Sequence, residues 1–363
     1  MARTIKSTPR KDGFRMPGEW AQHKQCWIGW PERTDVWRMG AKPAQKVIAE
    51  TAAAISEFEP VTCLVSNAQY ANARAMLPDN VRLVEMSLDD GWLRDTGATF
   101  VVNDEGVVRG VDWEFQAWGG LEEGFYFPWN NDNKVARKMC ELENIDRYDC
   151  DLILEGGAIH SDGEGTLIVT EDSFLVHNQN GMTKEKYEEY FKEYLGAEKM
   201  IWLKYGVLDD CVHGHVDIMC SFVKPGVVML HWTDDETDPQ YALSKTNLEI
   251  LENTTDAKGR KFEIHKIHQP GPFFFTKEEA ESFDKIEGTT PWQEGDRFAA
   301  SYINFYLANT GVVVPLFEDP VHDEVALSKF QELFPDKKVV GVQARELEIS
   351  GGIIHCMTQQ QSK

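Results

Sequence analysis

The amino-acid sequence predicts an α/β chain built from about five copies of one hairpin-and-helix unit, arranged as a ring or propeller. Three observations carry this expectation. Short β-branched runs alternate with helix-forming stretches, hairpins recur along the whole chain, and polar residues enter the hairpins at matching points.

Taken in order, "CWIGW" (26–30) reads as an aromatic strand and "AKPAQKVIAETAAAISEF" (41–58) as an Ala-rich helix stopped at Pro60. "VTCLVS" (61–66) is a short buried strand, "AQYANARAML" (68–77) a helix and "VRLVEM" (81–86) a strand. Four hairpins follow, with turns at Asn103–Gly106, Asp162–Gly165, Lys224–Gly226 and Asn309–Gly311. Each uses the Gly, Asn, Asp or Pro chemistry that closes such a turn. Helix-like stretches lie between them at 183–195, 240–254 and 323–334. The polar entry residues are spaced 60, 60, 89 and 52 positions apart, at Asp95, Glu155, His215, Asn304 and Cys356. With no low-complexity segment or linker, residues 1–363 read as a single domain, with 1–13 a flexible tail.

Composition narrows the function classes. At 363 residues and 42% hydrophobic, the chain can bury a large core. There is no apolar run long enough to span a membrane and no apolar segment near the N-terminus to act as a secretory signal. Seven scattered cysteines without a C-x-x-C pair argue against a disulfide framework and a zinc finger, and fit a reducing cytoplasm. A formal charge of −23 disfavours nucleic acid and anionic membrane, and favours cationic ligands. Phosphate-binding glycine loops and the G-x-S-x-G elbow are absent.

The C-terminal "SGGIIHCMTQQ" offers a thiol, Cys356, behind the flexible pair Gly351–Gly352. On a regular strand His355 and Cys356 face opposite ways, so the base for that thiol must come from elsewhere. "HGHVD" places His213, His215 and Asp217 at alternate positions, on one face of a strand. That trio suits either a divalent metal or an acid/base histidine beside a carboxylate that anchors a cation. Asp95 in "WLRDTG" and Glu155 in "LILEGG" each end a hydrophobic run, where a buried carboxylate needs a partner.

These motifs resemble the agmatine deiminase family of the guanidino-group-modifying, or pentein, superfamily. The resemblance runs through "FRMPGEW", "WPERTDVWR", "RDTGATFVVN", "AWGG", "EGGAIHSDGEGT", "GHVD", "WTDDETDPQY", "ASYINFY" and "GGIIHCMTQQ". It implies a five-bladed α/β propeller and hydrolysis of agmatine to N-carbamoylputrescine and ammonia, a step towards putrescine. Residue by residue, it implies Cys356 as nucleophile, His215 as general acid/base and Glu155 as the carboxylate beside it. Asp95 and Asp217 grip the guanidinium, and Trp92, Trp118 and Gly352 line the pocket. It further implies no metal or other cofactor, a small cationic substrate with water as co-substrate, and a homodimer or higher homo-oligomer. The alternatives are a deiminase of arginine or peptidyl arginine, or an impaired guanidine-binding homologue. Four positions depart from the family pattern: Ser350 stands for Gly, Ile353 for Asn, His213 for Asn and Gln116 for Asn.

Overall fold

The computed structural model describes residues 2–287 and 292–363. Five of its sheets share one connectivity, in which a first strand lies antiparallel to a second and the second parallel to a third. The first set is Thr99–Val102, Val108–Glu114 and Arg147–Ile153. The next are His160–Ser161, Thr166–Thr170 and Lys199–Leu203, then Cys220–Lys224, Val227–Trp232 and Glu263–His268. Tyr306–Leu307, Gly311–Leu316 and Lys338–Gln343 form the fourth. In the fifth, the C-terminal strand Thr358–Ser362 lies antiparallel to His23–Gly29, which runs parallel to Val61–Val65. The two ends of the chain therefore complete one unit between them. Residues 4–5, in the segment read as a tail, pair in parallel with Arg147 and Tyr148.

The hydrophobic clusters sit at the seams between consecutive sheets. Trp27 and Leu64 of the fifth sheet pack with Phe100 of the first. Val101, Val111 and Tyr148 meet Leu167 and Val169 of the second, and Ile168 and Leu203 meet Phe222 and Leu230 of the third. A larger cluster joins Val227 and Met229 to Val312–Val314 and on to Ile28 and Cys63. Helices bridge the same seams. Pro320–Leu333 packs on Lys338–Gln343 of its own sheet and on Glu263–His268 of the sheet before it. Lys42–Ser56 contacts both Val61–Val65 and Lys338–Gln343. Area removed from water at these seams is the main stabilising term, worth about 25 cal/mol per Å2 of apolar surface.

Local chemistry explains the element ends. Two helices start with the same Asp-Pro pair, Asp238–Pro239 and Asp319–Pro320. In each the Asp side chain accepts from a backbone N–H of the first turn, and Pro fills a position that has no donor to lose. The helix expected over 68–77 contracts to Tyr70–Met76, because Leu77 precedes Pro78 and adopts the extended conformation. Residues 183–195 split into an α-helix, Lys184–Tyr190, and a wider π-turn, Phe191–Leu195. None of the helices among the described residues is long and apolar enough to cross a membrane.

One expectation is corrected. The polar entry residues lie not on strands but in short turns that precede each first strand. Asp95 is in the helical turn Leu93–Thr96, Glu155 caps Gly156–Ala158, and His215 caps Val216–Met219, which holds Asp217. Asn304 and Cys356 sit in turns ahead of Tyr306 and Thr358. A turn lets consecutive side chains converge where a strand would send them apart.

Candidate active site

The five entry turns meet at one buried polar cluster. Cys356 is 7% exposed, and its Sγ lies 3.2 Å from Asn304 Nδ2 and 3.7 Å from Asp217 Oδ2. The Asn304 amide organises the turn that presents it. Its Oδ1 accepts from the backbone N–H of His355 at 2.9 Å and of Cys356 at 3.3 Å, while Nδ2 also donates to Asp217 at 3.1 Å. Burial, with the negative charges of Asp217 and Asp95, holds the thiol well above its ordinary range.

Asp95 accepts from the Gly157 N–H at 2.9 Å on one oxygen and from Trp118 Nε1–H at 2.9 Å on the other. Gly157 is required here by space, because a Cβ would lie 2.7 Å from His215 Nδ1 and about as close to Asp217 and Asp95. Burial and the neighbouring Asp217 raise the Asp95 carboxyl, against His215 and its two N–H donors.

His215 is buried, and its Nδ1 has no hydrogen-bond partner among the described residues. Burial pushes the imidazole down, yet Asp95, Asp217, Glu155 and Asp210 surround it and raise it overall. Asp210 fixes the backbone, accepting from the N–H of Gly214 at 2.8 Å and of His215 at 2.9 Å. Glu155 interacts with His215 through charge, without a hydrogen bond between them. Its Oε1 instead accepts from Gln179 at 2.8 Å, and Gln179 in turn accepts from Gln116 at 3.2 Å. Gln116, one of the four departures, thus holds the residue that orients Glu155.

His355 does not turn away from the site as a strand would require. Its Nδ1 lies 2.8 Å from Asp217 Oδ2 and its Nε2 lies 2.8 Å from Glu19 Oε1, so both nitrogens donate and the ring is an imidazolium. Burial and Arg94 push its pKa down, but Glu19 and Asp217 raise it overall. Burial alone would raise Asp217, but His355, His215 and Arg94 bring it below the usual carboxylate range.

The metal reading of "HGHVD" fails on geometry. His213 sits in a loop and stacks on His177 with ring centroids 3.7 Å apart, outside the cluster of His215 and Asp217. Of the other departures, Ile353 is fully buried and Ser350, also buried, lines the pocket over Cys356.

The pocket over Cys356 has a volume of about 330 Å3 and is walled by Trp92, Trp118, Phe125, Val36 and Val212, with Asp95 at its polar end. Trp92 stacks on Trp37 at 4.8 Å, and both indole N–H groups donate to Asp90 at 2.7 Å. Gly352 lies flat on Trp92, where a Cβ would come within 2.5 Å of the ring. All eight residues singled out from the sequence are thus at or next to this pocket. Asn304, Gly157, His355, Glu19 and Gln179 were not assigned to the site. Asn304 left a signal in its place in the repeat, Gly157 in the pair Gly156–Gly157, and His355 in standing beside Cys356.

The profile described as Porphyromonas-type peptidyl-arginine deiminase matches residues 15–362. The chain belongs to this family. A Listeria monocytogenes protein named "Putative agmatine deiminase 1" is 59% identical over 360 residues, covering 99% of each chain. Pseudomonas aeruginosa "Agmatine deiminase" is 52% identical over 358 residues, covering 98% of this chain and 97% of that one. The solved structure described as "Agmatine deiminase of Enterococcus faecalis catalyzing its reaction" superposes with a TM-score of 0.96 at 44% identity, covering 100% of both chains. The pentein resemblance read from the motifs is borne out.

Proposed function

We propose that the protein hydrolyses agmatine to N-carbamoylputrescine and ammonia through a covalent intermediate on Cys356. One observation carries the substrate choice. The pocket over the thiol has a carboxylate at its polar end and aromatic walls, and no Lys or Arg among its described lining residues. A guanidinium on an apolar tail fits that lining, whereas free arginine would bring a carboxylate with no cation to meet it.

Asp95 and Asp217 grip the planar guanidinium through its N–H groups and set its carbon over Sγ. Burial and two negative charges keep Cys356 protonated; the bound cation offsets those charges, so the thiol gives its proton to water and the thiolate forms when substrate is present. Sulfur adds to the guanidinium carbon and a tetrahedral adduct forms. His215, raised by its four carboxylates, delivers a proton to the leaving nitrogen, the C–N bond breaks and ammonia departs. The now neutral imidazole takes a proton from water as it attacks the amidino-thioether carbon. Collapse breaks the C–S bond, the remaining hydroxyl proton passes to the departing sulfur, and the thiol returns with the neutral carbamoyl product. Such proton transfer is worth ~10²–10⁴-fold. Glu155 supports the imidazolium electrostatically, and Trp92, Trp118 and Gly352 shape the apolar sleeve.

The five entry turns meeting at one cluster, together with the seams between consecutive sheets, support a five-bladed propeller with its site at the axis. Residues 1–363 then act as one domain. A cytoplasmic homo-oligomer serving putrescine formation fits the cysteine content and the family.

The test is release of ammonia and N-carbamoylputrescine from agmatine, with arginine and benzoyl-arginine amide in parallel. Agmatine-selective turnover that disappears in Cys356→Ala is expected. Preference for either arginine compound would overturn the substrate, and turnover in the mutant would overturn the nucleophile.

A further inference from the structure

His213, the departure that the deiminase site does not use, opens onto a second, solvent-open hollow beside the first. Asp172, Asp209 and Asp210 line it together with Glu123 and His177. One donor atom from each of Glu123, His177 and His213 lies within 4.8 Å of the others.

The hydrogen bonding around His177 shows which atoms face inwards. Its Nε2 sits 2.9 Å from the Trp118 carbonyl, which can only accept, so that nitrogen carries the proton. Its Nδ1 faces Glu123 Oε2, 3.4 Å away, and in the neutral ring points a lone pair at that oxygen. A lone pair and a carboxylate oxygen in that arrangement need a positive species between them, either a proton or a metal ion. A histidine whose second nitrogen donates to a backbone carbonyl is oriented as metal-bound histidines are.

We propose that Glu123, His177 and His213 form a binding site for a divalent transition-metal ion of the Zn2+, Co2+ or Ni2+ class. Two imidazoles and one carboxylate suit that class, and water in the hollow completes the coordination. The two rings now stack 12° from parallel, so binding requires one of them to tilt. His213 is the one able to move, because neither of its ring nitrogens is hydrogen-bonded among the described residues. The Glu123 side chain is 63% exposed and free to swing. The acidic rim and the net charge of −23 draw cations to the hollow.

The placement gives the ion a function. Glu123 ends the turn Gly120–Glu123, between Trp118 and Phe125 of the substrate pocket, and His213 follows Cys211 and Val212 of the same pocket. An ion held between them clamps two walls of the pocket together and slows their movement during entry and release, lowering kcat and KM together.

The experiment uses two readouts. Cys356→Ala protein, which lacks the nucleophilic thiol, is titrated with Co2+ and followed by its visible absorption bands. One ion per chain is expected, with binding lost when His213→Asn is added and weakened when Glu123→Gln is added. Asn is tolerated at the positive φ of 65° found at position 213, so the double variant folds. Absent Co2+ binding, or binding unchanged by His213→Asn, overturns the site. This readout needs no turnover and stands apart from the substrate assignment. In the second readout, Zn2+ partially inhibits the wild type, a chelator reverses it, and His213→Asn keeps both its basal activity and its resistance. Equal inhibition of both proteins would place the ion on Cys356 and overturn the clamp.

Discussion

Two sides of one pocket bury aspartates and obtain opposite results. On the aromatic side, Asp90 accepts from the indoles of Trp37 and Trp92 and from the Gly91 N–H, all neutral donors. Burial wins there, and its carboxyl is pushed up to about 7. On the ionic side, Asp217 is as deeply buried but faces the His355 imidazolium, with His215 and Arg94 nearby, and is lowered. Neutral hydrogen bonds, even with the Arg33 charge acting without an ion-pair contact, do not offset the loss of water around Asp90, whereas a directly hydrogen-bonded imidazolium does so for Asp217. The aromatic side is therefore a packed surface with satisfied polar handles. The ionic side is a chain of alternating charges, Glu19, His355, Asp217 and His215, in which each member depends on the next.

The largest way to break this comparison lies at the reacting atoms. Cys356→Ala should abolish turnover, and His215→Gln should lower kcat by ~10²–10⁴-fold while the fold survives. Steady-state kinetics alongside circular dichroism checks both; a His215→Gln enzyme near wild-type rate would remove that residue from the mechanism.

Next come substitutions that remove one side at a time. His355→Ala removes the cation that bridges Asp217 and Glu19, leaving Glu19 only Arg94 at 3.4 Å and His160 at 3.8 Å, and should cost ~3–5 kcal/mol of stability. Trp92→Ala opens a cavity and should also cost ~3–5 kcal/mol. The pH dependence separates the two losses. Removing His355 withdraws the charge that keeps Asp217 low, so the variant should also need higher pH for turnover. Trp92→Ala should keep the wild-type pH profile. Urea unfolding and pH–rate profiles read these effects, and identical profiles would sink the contrast.

The Asp90 shift fixes a further sign. Its native value of about 7 lies above the unfolded value, so between about pH 4 and 7 the native state binds the extra proton. Its contribution is full at the acid end and declines as pH rises through 7, by ~4 kcal/mol in total. Asp90→Asn should flatten that part of the stability–pH curve. His355 and His215 add stability of the same sign, present below the unfolded histidine value and lost as pH rises through their raised native ones. Asp217 contributes oppositely, with stability present above its unfolded value and lost as pH falls through its lowered native one.

The smallest expected effect belongs to Gln116→Asn, which shortens the reach to Gln179 and loosens Glu155. A single hydrogen bond is worth ~0.5–1.5 kcal/mol, so kcat should fall by a few-fold with KM nearly unchanged. A change in KM alone would show that Gln116 acts on the pocket lining instead.

Much of this was legible in the sequence because it is local. Turn residues at Asn103, Asp162 and Pro225, the Ala-rich 41–58 stretch and the β-branched strands carry their structure in neighbouring positions. Cys356, His215, Asp95 and Asp217 were legible through motifs whose residues are contiguous. The reading of His355 went astray for a specific reason. Period-two alternation was applied to a segment that turns, and the turn is set by Asn304, some fifty positions away. The "HGHVD" trio misled in the same way, since a loop and a helical turn stand where a strand was expected.

The sequence by itself determined the alternation of strands and helices, the repeat of the hairpins and which side chains are candidates for the chemistry. These follow from backbone propensity, turn chemistry and side-chain type, which act within a few residues. Only the tertiary structure decided that Glu19 meets His355, that Gln116 reaches Glu155 through Gln179, and that His213 stacks on His177. It also decided which buried aspartate is raised and which is lowered. Burial and charge pairing depend on distance in space, and residues hundreds of positions apart become partners only once the chain has folded.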